Sequence, residues 1–342
     1  MNRHRAYLRG PQKTQAVNDK EIGPYGPDSQ FNGNDWAYGN DSSHRSTQRA
    51  LLNSYIMGGY KWSGTPLYTD AHRSYYFATD AWSTKTASGN SQWQAFGVCI
   101  GRKLRQVGGY TSTSITYHGE YDPQADSFAT MTALGTGRHG AASFGYPGSA
   151  GTKMVFGTGS QPAGCVATME EYNRDADNYS SLTSMANARP SCSYSICGRI
   201  MTRMNGYNCS AGANVNEAEV YNRATDGWTS RTASGTSWRE GIHASDHRYS
   251  HYTVGYYTTS SQTVAWVYKH GTDAWTNLGN QSLGSAGGNS LVSRGRHMQR
   301  GPSADGASRG LTVDQYDFHT NSLVNIADCT TTLSYIWSCN II

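Results

Sequence analysis

Apolar residues in this chain come in short runs, and each run is cut by Gly, Asn, Asp, Ser or Thr. Ser54-Tyr-Ile-Met-Gly-Gly-Tyr60, Leu104-Arg-Gln-Val-Gly-Gly-Tyr110 and Lys153-Met-Val-Phe-Gly-Thr-Gly159 are examples. No window sustains apolar residues at helical spacing. Such runs, closed by residues that favour tight bends, predict many short strands rather than long helices.

The runs repeat. Tyr75-Tyr-Phe-Ala-Thr-Asp-Ala-Trp82, Tyr221-Asn-Arg-Ala-Thr-Asp-Gly-Trp228 and Tyr268-Lys-His-Gly-Thr-Asp-Ala-Trp275 share one form. Weaker copies run from Tyr121 to Phe128, Tyr172 to Tyr179 and Tyr316 to Leu323, so successive anchors lie 46 to 51 residues apart. A glycine marker at Gly58, Gly108, Gly157, Gly206 and Gly255 keeps steps of 49 or 50. A third marker is an arginine leading into the next strand, at Arg49, Arg138, Arg189 and Arg239. Independent markers with one period define a structural repeat. Each unit reads as four strands; after Phe128 these are 140–146, 153–157, 165–172 and a strand carrying Tyr179, with an Asn/Asp turn over 173–177.

A period near 50, a Gly-Gly strand end and Tyr-x6-Trp with a Thr-Asp turn resemble the kelch repeat family, over roughly residues 45–323. The resemblance implies an all-β propeller of four-stranded blades, innermost strand first, with the aromatic anchors packed between blades. The units fall at 49–82, 83–128, 129–179, 180–228, 229–275 and 276–323. One period upstream, Trp36 and Gly10 match the markers, so residues 1–48 read as three strands of a further blade. Its fourth strand is expected from 332–337 within the C-terminal 324–342, which gives a seven-bladed ring closed by one C-terminal and three N-terminal strands. Six blades with tails is the alternative.

Composition narrows the function more than it names it. The 342 residues carry a formal net charge of only +4, with no basic tract, which leaves nucleic-acid binding without support. No stretch reaches membrane-spanning length and no apolar leader stands at the start, so a protein made in the cytoplasm is expected. Seven scattered cysteines without a Cys-x-x-Cys pair read as small buried hydrophobes. His243, His247 and His251 are spaced by four but fall on a strand and its turn, so no metal is expected there. The recurring Thr-Asp pairs read as turn formers, and they differ from a sialidase Asp-box. Within the kelch-like class, a copper-radical oxidase of galactose-oxidase type is the enzymatic alternative; no catalytic, cofactor or metal residue is assigned.

The least repetitive parts are the loops between second and third strands. Tyr60, Trp62, Tyr110, Tyr207, Asn208, Tyr256 and Tyr257 are the expected partner contacts there. A Gly/Ser/Thr/Tyr-rich, charge-poor propeller without adaptor domains resembles virion proteins. The expected function is a non-enzymatic structural or interaction protein of a virus particle, such as a bacteriophage tail or surface component in a symmetric assembly. Its partners would be other virion proteins or a host-surface receptor or glycan. A cellular glycan-binding or adaptor propeller in the cytoplasm is the alternative.

Overall fold

In the computed structural model, the positions described are 53–60, 67–76, 79–100, 103–148, 151–161, 163–197, 200–239, 241, 243–245, 249–253 and 262–285, with short strands between 293 and 340. Short apolar runs broken by turn formers become six four-stranded antiparallel sheets, taken here in chain order. Sheet two holds Phe96–Ile100, Lys103–Val107, His118–Asp122 and Ser127–Thr130. Sheet three holds Ala142–Gly148, Gly151–Gly157, Met169–Asn173 and Asn178–Leu182. Sheet four holds Ser193–Cys197, Ile200–Met204, Ala218–Asn222 and Gly227–Arg231. Sheet five runs His243–Ser245, Tyr249–Thr253, Gln262–Lys269 and Ala274–Ser285, and sheet six Ser293–Arg294, His297–Arg300, Val313–Asp317 and Ser322–Ile326. The one helical element among the described residues is the 3-10 turn His270–Thr272, and no helix there is long and apolar enough to cross a membrane.

Sheet one is the exception in chain order. Its strands Asn53–Tyr60, Tyr68–Tyr76 and Ala81–Lys85 are consecutive, but the fourth, Trp337–Asn340, comes from the other end of the chain and pairs with Asn53–Tyr60. The sequence had offered the C-terminal strand to residues 1–48. The described part of this unit supplies only three strands, so the edge beside Asn53–Tyr60 is the one that the C-terminal strand covers. The expected further blade over 1–48 lies outside the described residues.

The motif tyrosine and its anchor partner, aromatic in all but sheet six, stand directly opposite each other on the two strands joined by the motif turn in every sheet. The pairs are Tyr75 with Trp82, Tyr121 with Phe128, Tyr172 with Tyr179, Tyr221 with Trp228, Tyr268 with Trp275 and Tyr316 with Leu323. The apolar clusters span neighbouring sheets rather than sitting inside one. Tyr55 and Met57 meet Leu104 and Tyr121; Phe96 and Val107 meet Met154 and Tyr172; Phe144 and Val155 meet Met201 and Tyr221. The core therefore lies in the seams, where each sheet buries the face that it cannot bury alone. The C-terminal strand of sheet one and the first strands of sheets two to five follow one another side by side.

The glycine register shifts by one. The second strand ends in a left-handed residue followed by a glycine with positive φ: Gly58-Gly59, Gly108-Gly109, Thr158-Gly159 and Asn205-Gly206. Gly157 is the last strand residue instead, and Gly206 is the second of its pair. At Gly58 a Cβ would come within 2.7 Å of the Gln92 carbonyl, so only glycine fits. At Thr158 and Asn205 the side chain offsets the strain by bonding the next seam: Thr158 Oγ1 donates to the Arg189 carbonyl (2.6 Å) and Asn205 Nδ2 to the Thr236 carbonyl (2.8 Å).

Candidate functional site: the loop face over the sheet seams

The Thr-Asp turn does more than bend the chain. Asp80, Asp126, Asp177, Asp226 and Asp273 all sit in the left-handed region. Each accepts a hydrogen bond from its motif tyrosine hydroxyl at 2.6 or 2.7 Å. Four of them also accept a backbone N–H from the preceding sheet: Thr86 to Asp126, Thr132 to Asp177, Thr183 to Asp226 and Thr232 to Asp273. Trp228 and Trp275 donate their indole N–H to the carbonyls of Thr183 and Thr232. The Tyr121 hydroxyl and the Thr86 amide hold Asp126 below the usual carboxylate range. Asp126, Asp177, Asp226 and Asp273 thus tie neighbouring sheets together.

On the opposite end of the strands, the segment leading into each sheet meets the second-strand end of the sheet before it. The amides of Gly59, Gly109 and Gly206 donate to the carbonyls of Gln92, Arg138 and Trp238. The Arg189 carbonyl accepts from the Thr158 hydroxyl instead, and two residues beyond Gln92, Arg138 and Arg189 stand Gln94, Gly140 and Ser191, all left-handed, with backbones linked in series: Ser191 N–H to Gly140 and Gly140 N–H to Gln94. Gln92, Arg138 and Arg189 thus occupy equivalent places, and all are buried.

What these three side chains meet differs. Arg138 pairs with Glu170 and donates to the Thr168 carbonyl at 3.1 Å. Arg189 pairs with Glu219 at 2.5 Å, and Arg203 reaches the same carboxylate at 2.6 Å. Glu170 and Glu219 stand two residues before the motif tyrosine; in sheet two that place is Gly119, whose cross-strand partner is Gln106. The Tyr117 hydroxyl lies where a side chain at Gly119 would point. Gln92 and Gln106 are 0% exposed, and neither amide oxygen nor nitrogen of either has a hydrogen-bond partner.

Above this place sits a group of half-buried rings. Trp93 lies 5.7 Å from Tyr60 and 5.7 Å from Tyr110, and runs parallel to Tyr68 at 6.4 Å. Trp93 and Tyr110 also exchange backbone hydrogen bonds (3.1 and 2.9 Å). His139 abuts Tyr110 at 4.9 Å and accepts or donates at 2.8 Å with Ser114 Oγ; burial lowers its pKa to about 4, so it is neutral near pH 7.

Of the contacts expected from sequence, Tyr60 and Tyr110 are brought together around Trp93. Tyr207 and Asn208 lie apart, on the hairpin of Tyr207–Asn208 with Ala213–Asn214, where the Arg239 guanidinium covers the Tyr207 ring at 5.1 Å. Trp62, Tyr256 and Tyr257 lie outside the described residues. Sequence reasoning missed Trp93, which belongs to a lead-in segment rather than to a loop, and did not single out Tyr68 at the end of the loop after Tyr60, where the strand Tyr68–Tyr76 begins. It also missed a disulfide: Cys165, half-buried, joins exposed Cys209 between hairpins of sheets three and four, Cα atoms 6.1 Å apart. Their separation of 44 residues, close to one repeat, was the available signal. Cys192 is buried and unpaired, as the reading of small hydrophobes expects. His243 and His251 lie on adjacent paired strands, one residue out of register, and His247 lies outside the described residues.

The chain is an all-β repeat protein whose sheets are sewn together through their seams. No family model matches the sequence, and no curated protein matches it. Among solved structures, the one described as "Structure of YjhT" superposes with a TM-score of 0.65 at 13% identity, covering 80% of this chain and 94% of that one. That likeness concerns the fold.

Proposed function

We propose that the six sheets are the blades of a closed kelch-type propeller, and that the chain is a non-enzymatic interaction protein. The C-terminal strand on sheet one, the consecutive placing of first strands and the Tyr–Asp–Thr ties support the ring. In this reading the second-to-third-strand loops and the lead-in segments form one face, and that face meets the partner. The observation that carries it is the half-exposed aromatic group of Tyr60, Tyr68, Trp93 and Tyr110, because aromatic rings left part-exposed on a rigid scaffold are typical of contact surfaces.

Within that class we place the protein in a virus particle, as a tail or surface component of a bacteriophage that contacts another virion protein or a host receptor. Its support is compositional: 39 glycines, 24 tyrosines and only 15% charged residues. Mass spectrometry of density-purified particles is expected to find the chain in a fixed copy number. Its absence from the particles would end this assignment and leave the cellular adaptor.

A further inference from the structure

Buried polar atoms without partners are costly, so four from two neighbouring amides call for a cause. Packing is not the cause. Sheets three and four fill the equivalent place with an Arg–Glu pair, in which opposite charges meet although Arg138 Nε and Arg189 Nε stay unbonded. Sheet two has lost both signs together, replacing arginine by Gln92 and glutamate by Gly119, and has kept amides there rather than apolar side chains. An amide offers both a donor and an acceptor, as a hydroxyl does, and it carries no charge. The Gln92 amide packs over Gly109, next to Tyr110, and the Gln106 amide lies near Gly58, two residues from Tyr60. The amides and the ring group therefore flank the same seam.

We propose that this seam between sheets one and two binds a neutral pyranose of a glycan: Trp93 and Tyr68 take the C–H face of the sugar, and Gln92 and Gln106 bond its hydroxyls. The proposal rests on the reading of this face as the contact face, and it names the receptor class. Stacking and amide bonding together are what a polyhydroxylated ring with one apolar face requires. No cationic side chain stands among these six residues to favour an acidic sugar. The amides are fully buried, so binding requires local side-chain movement in the seam, and Trp93 fluorescence reports the event.

Saturation-transfer NMR and tryptophan fluorescence with maltotriose, cellotriose and chitotriose test this, with sialyllactose as the acidic comparison. Binding of at least one neutral trisaccharide is expected, weakened about tenfold or more by Trp93→Ala and by Gln92→Leu. Gln92→Leu should melt at or above the wild-type temperature, because it removes two unsatisfied atoms without removing a bond. No binding of any neutral sugar up to about 10 mM overturns the proposal. So does a preference for sialyllactose, or a lowered melting temperature in Gln92→Leu with sugar binding unchanged. Absence of sugar binding leaves the chain's presence in particles untouched, so the two readings fail separately.

Discussion

Sheets two and four build the same seam with opposite chemistry. In sheet four, Glu219 sits between two fully buried guanidiniums, Arg189 and Arg203, and Arg203 also lies over the Trp228 ring at 5.5 Å. In sheet two the matching residues are Gly119, Gln92 and Gln106, neutral and unpaired. The lead-in carbonyl is held in both, by the Gly59 amide at Gln92 and by the Thr158 hydroxyl at Arg189. A repeat can therefore hold its geometry through main-chain bonds and Tyr–Asp ties while its buried polar residues vary. One seam is locked by ions; the other has polar capacity to spare.

The sharpest way to break this comparison is to remove a lock. Glu219→Ala leaves two buried cations facing one another, and Arg189 keeps only the carbonyls of Asn205 and Glu217 and the more exposed Glu217 carboxylate. A loss of about 3–5 kcal/mol is expected, because breaking a buried ion pair costs far more than never having had it. Chemical denaturation reads this directly. A cost below that of an ordinary surface substitution would mean the guanidiniums reach water, and the contrast with Gln92→Leu would collapse.

The repeat was legible because its markers are main-chain requirements. The Thr-Asp turn, the glycine pair and the cross-strand Tyr–Trp partners each answer to local geometry, so they recur at a fixed period. Glycine itself proved a loose marker: the backbone asks for positive φ, and Thr158 and Asn205 supply it with side chains that find bonds of their own. The partner of the C-terminal strand was misplaced because strand pairing between chain ends leaves no periodic trace; only the short unit 49–82 hinted at it. The candidate site was half legible. Tyr60 and Tyr110 stood in loops that do not repeat, but Gln92 and Gly119 matter by what they replace, and that substitution shows only once the sheets are in register.

Acid should separate the two halves of the molecule. Three residues before the motif tyrosine stand His72 and His118 in sheets one and two, where sheets three and four have Met169 and Ala218. Both histidines are buried, and burial lowers each pKa to about 4. Around His118, Arg105 acts in the same direction, opposed by the Thr132 carbonyl and Asp177; His72 sits against Tyr121 at 4.2 Å. The folded pKa lies below the unfolded value near 6.5, so the unfolded chain takes up protons first as pH falls. Stability is then lost from pH 6.5 down to about 4 and levels off below, by up to about 3 kcal/mol per histidine. The Asp ties, with lowered pKa values, give way only at lower pH still. The double variant His72→Gln, His118→Gln should flatten the fall in melting temperature between pH 7 and 5. An unchanged slope would move the acid sensitivity elsewhere.

The smallest expected effect is the one that the two seams should share. Tyr121→Phe and Tyr221→Phe each delete one hydroxyl that donates to a turn aspartate, at 2.6 and 2.7 Å. The aspartates keep their bonds from the amides of Thr86 and Thr183, and the rings keep their packing. A loss of about 1–2 kcal/mol is expected from each, equal within error, since the hydroxyl meets an ionised acceptor in the same geometry in both sheets. Equality would confine the difference between sheets two and four to the Gln–Gly and Arg–Glu positions. If Tyr121→Phe were silent while Tyr221→Phe was costly, the frame itself would be weaker at sheet two, and its unpaired amides would then reflect a loose seam rather than a site.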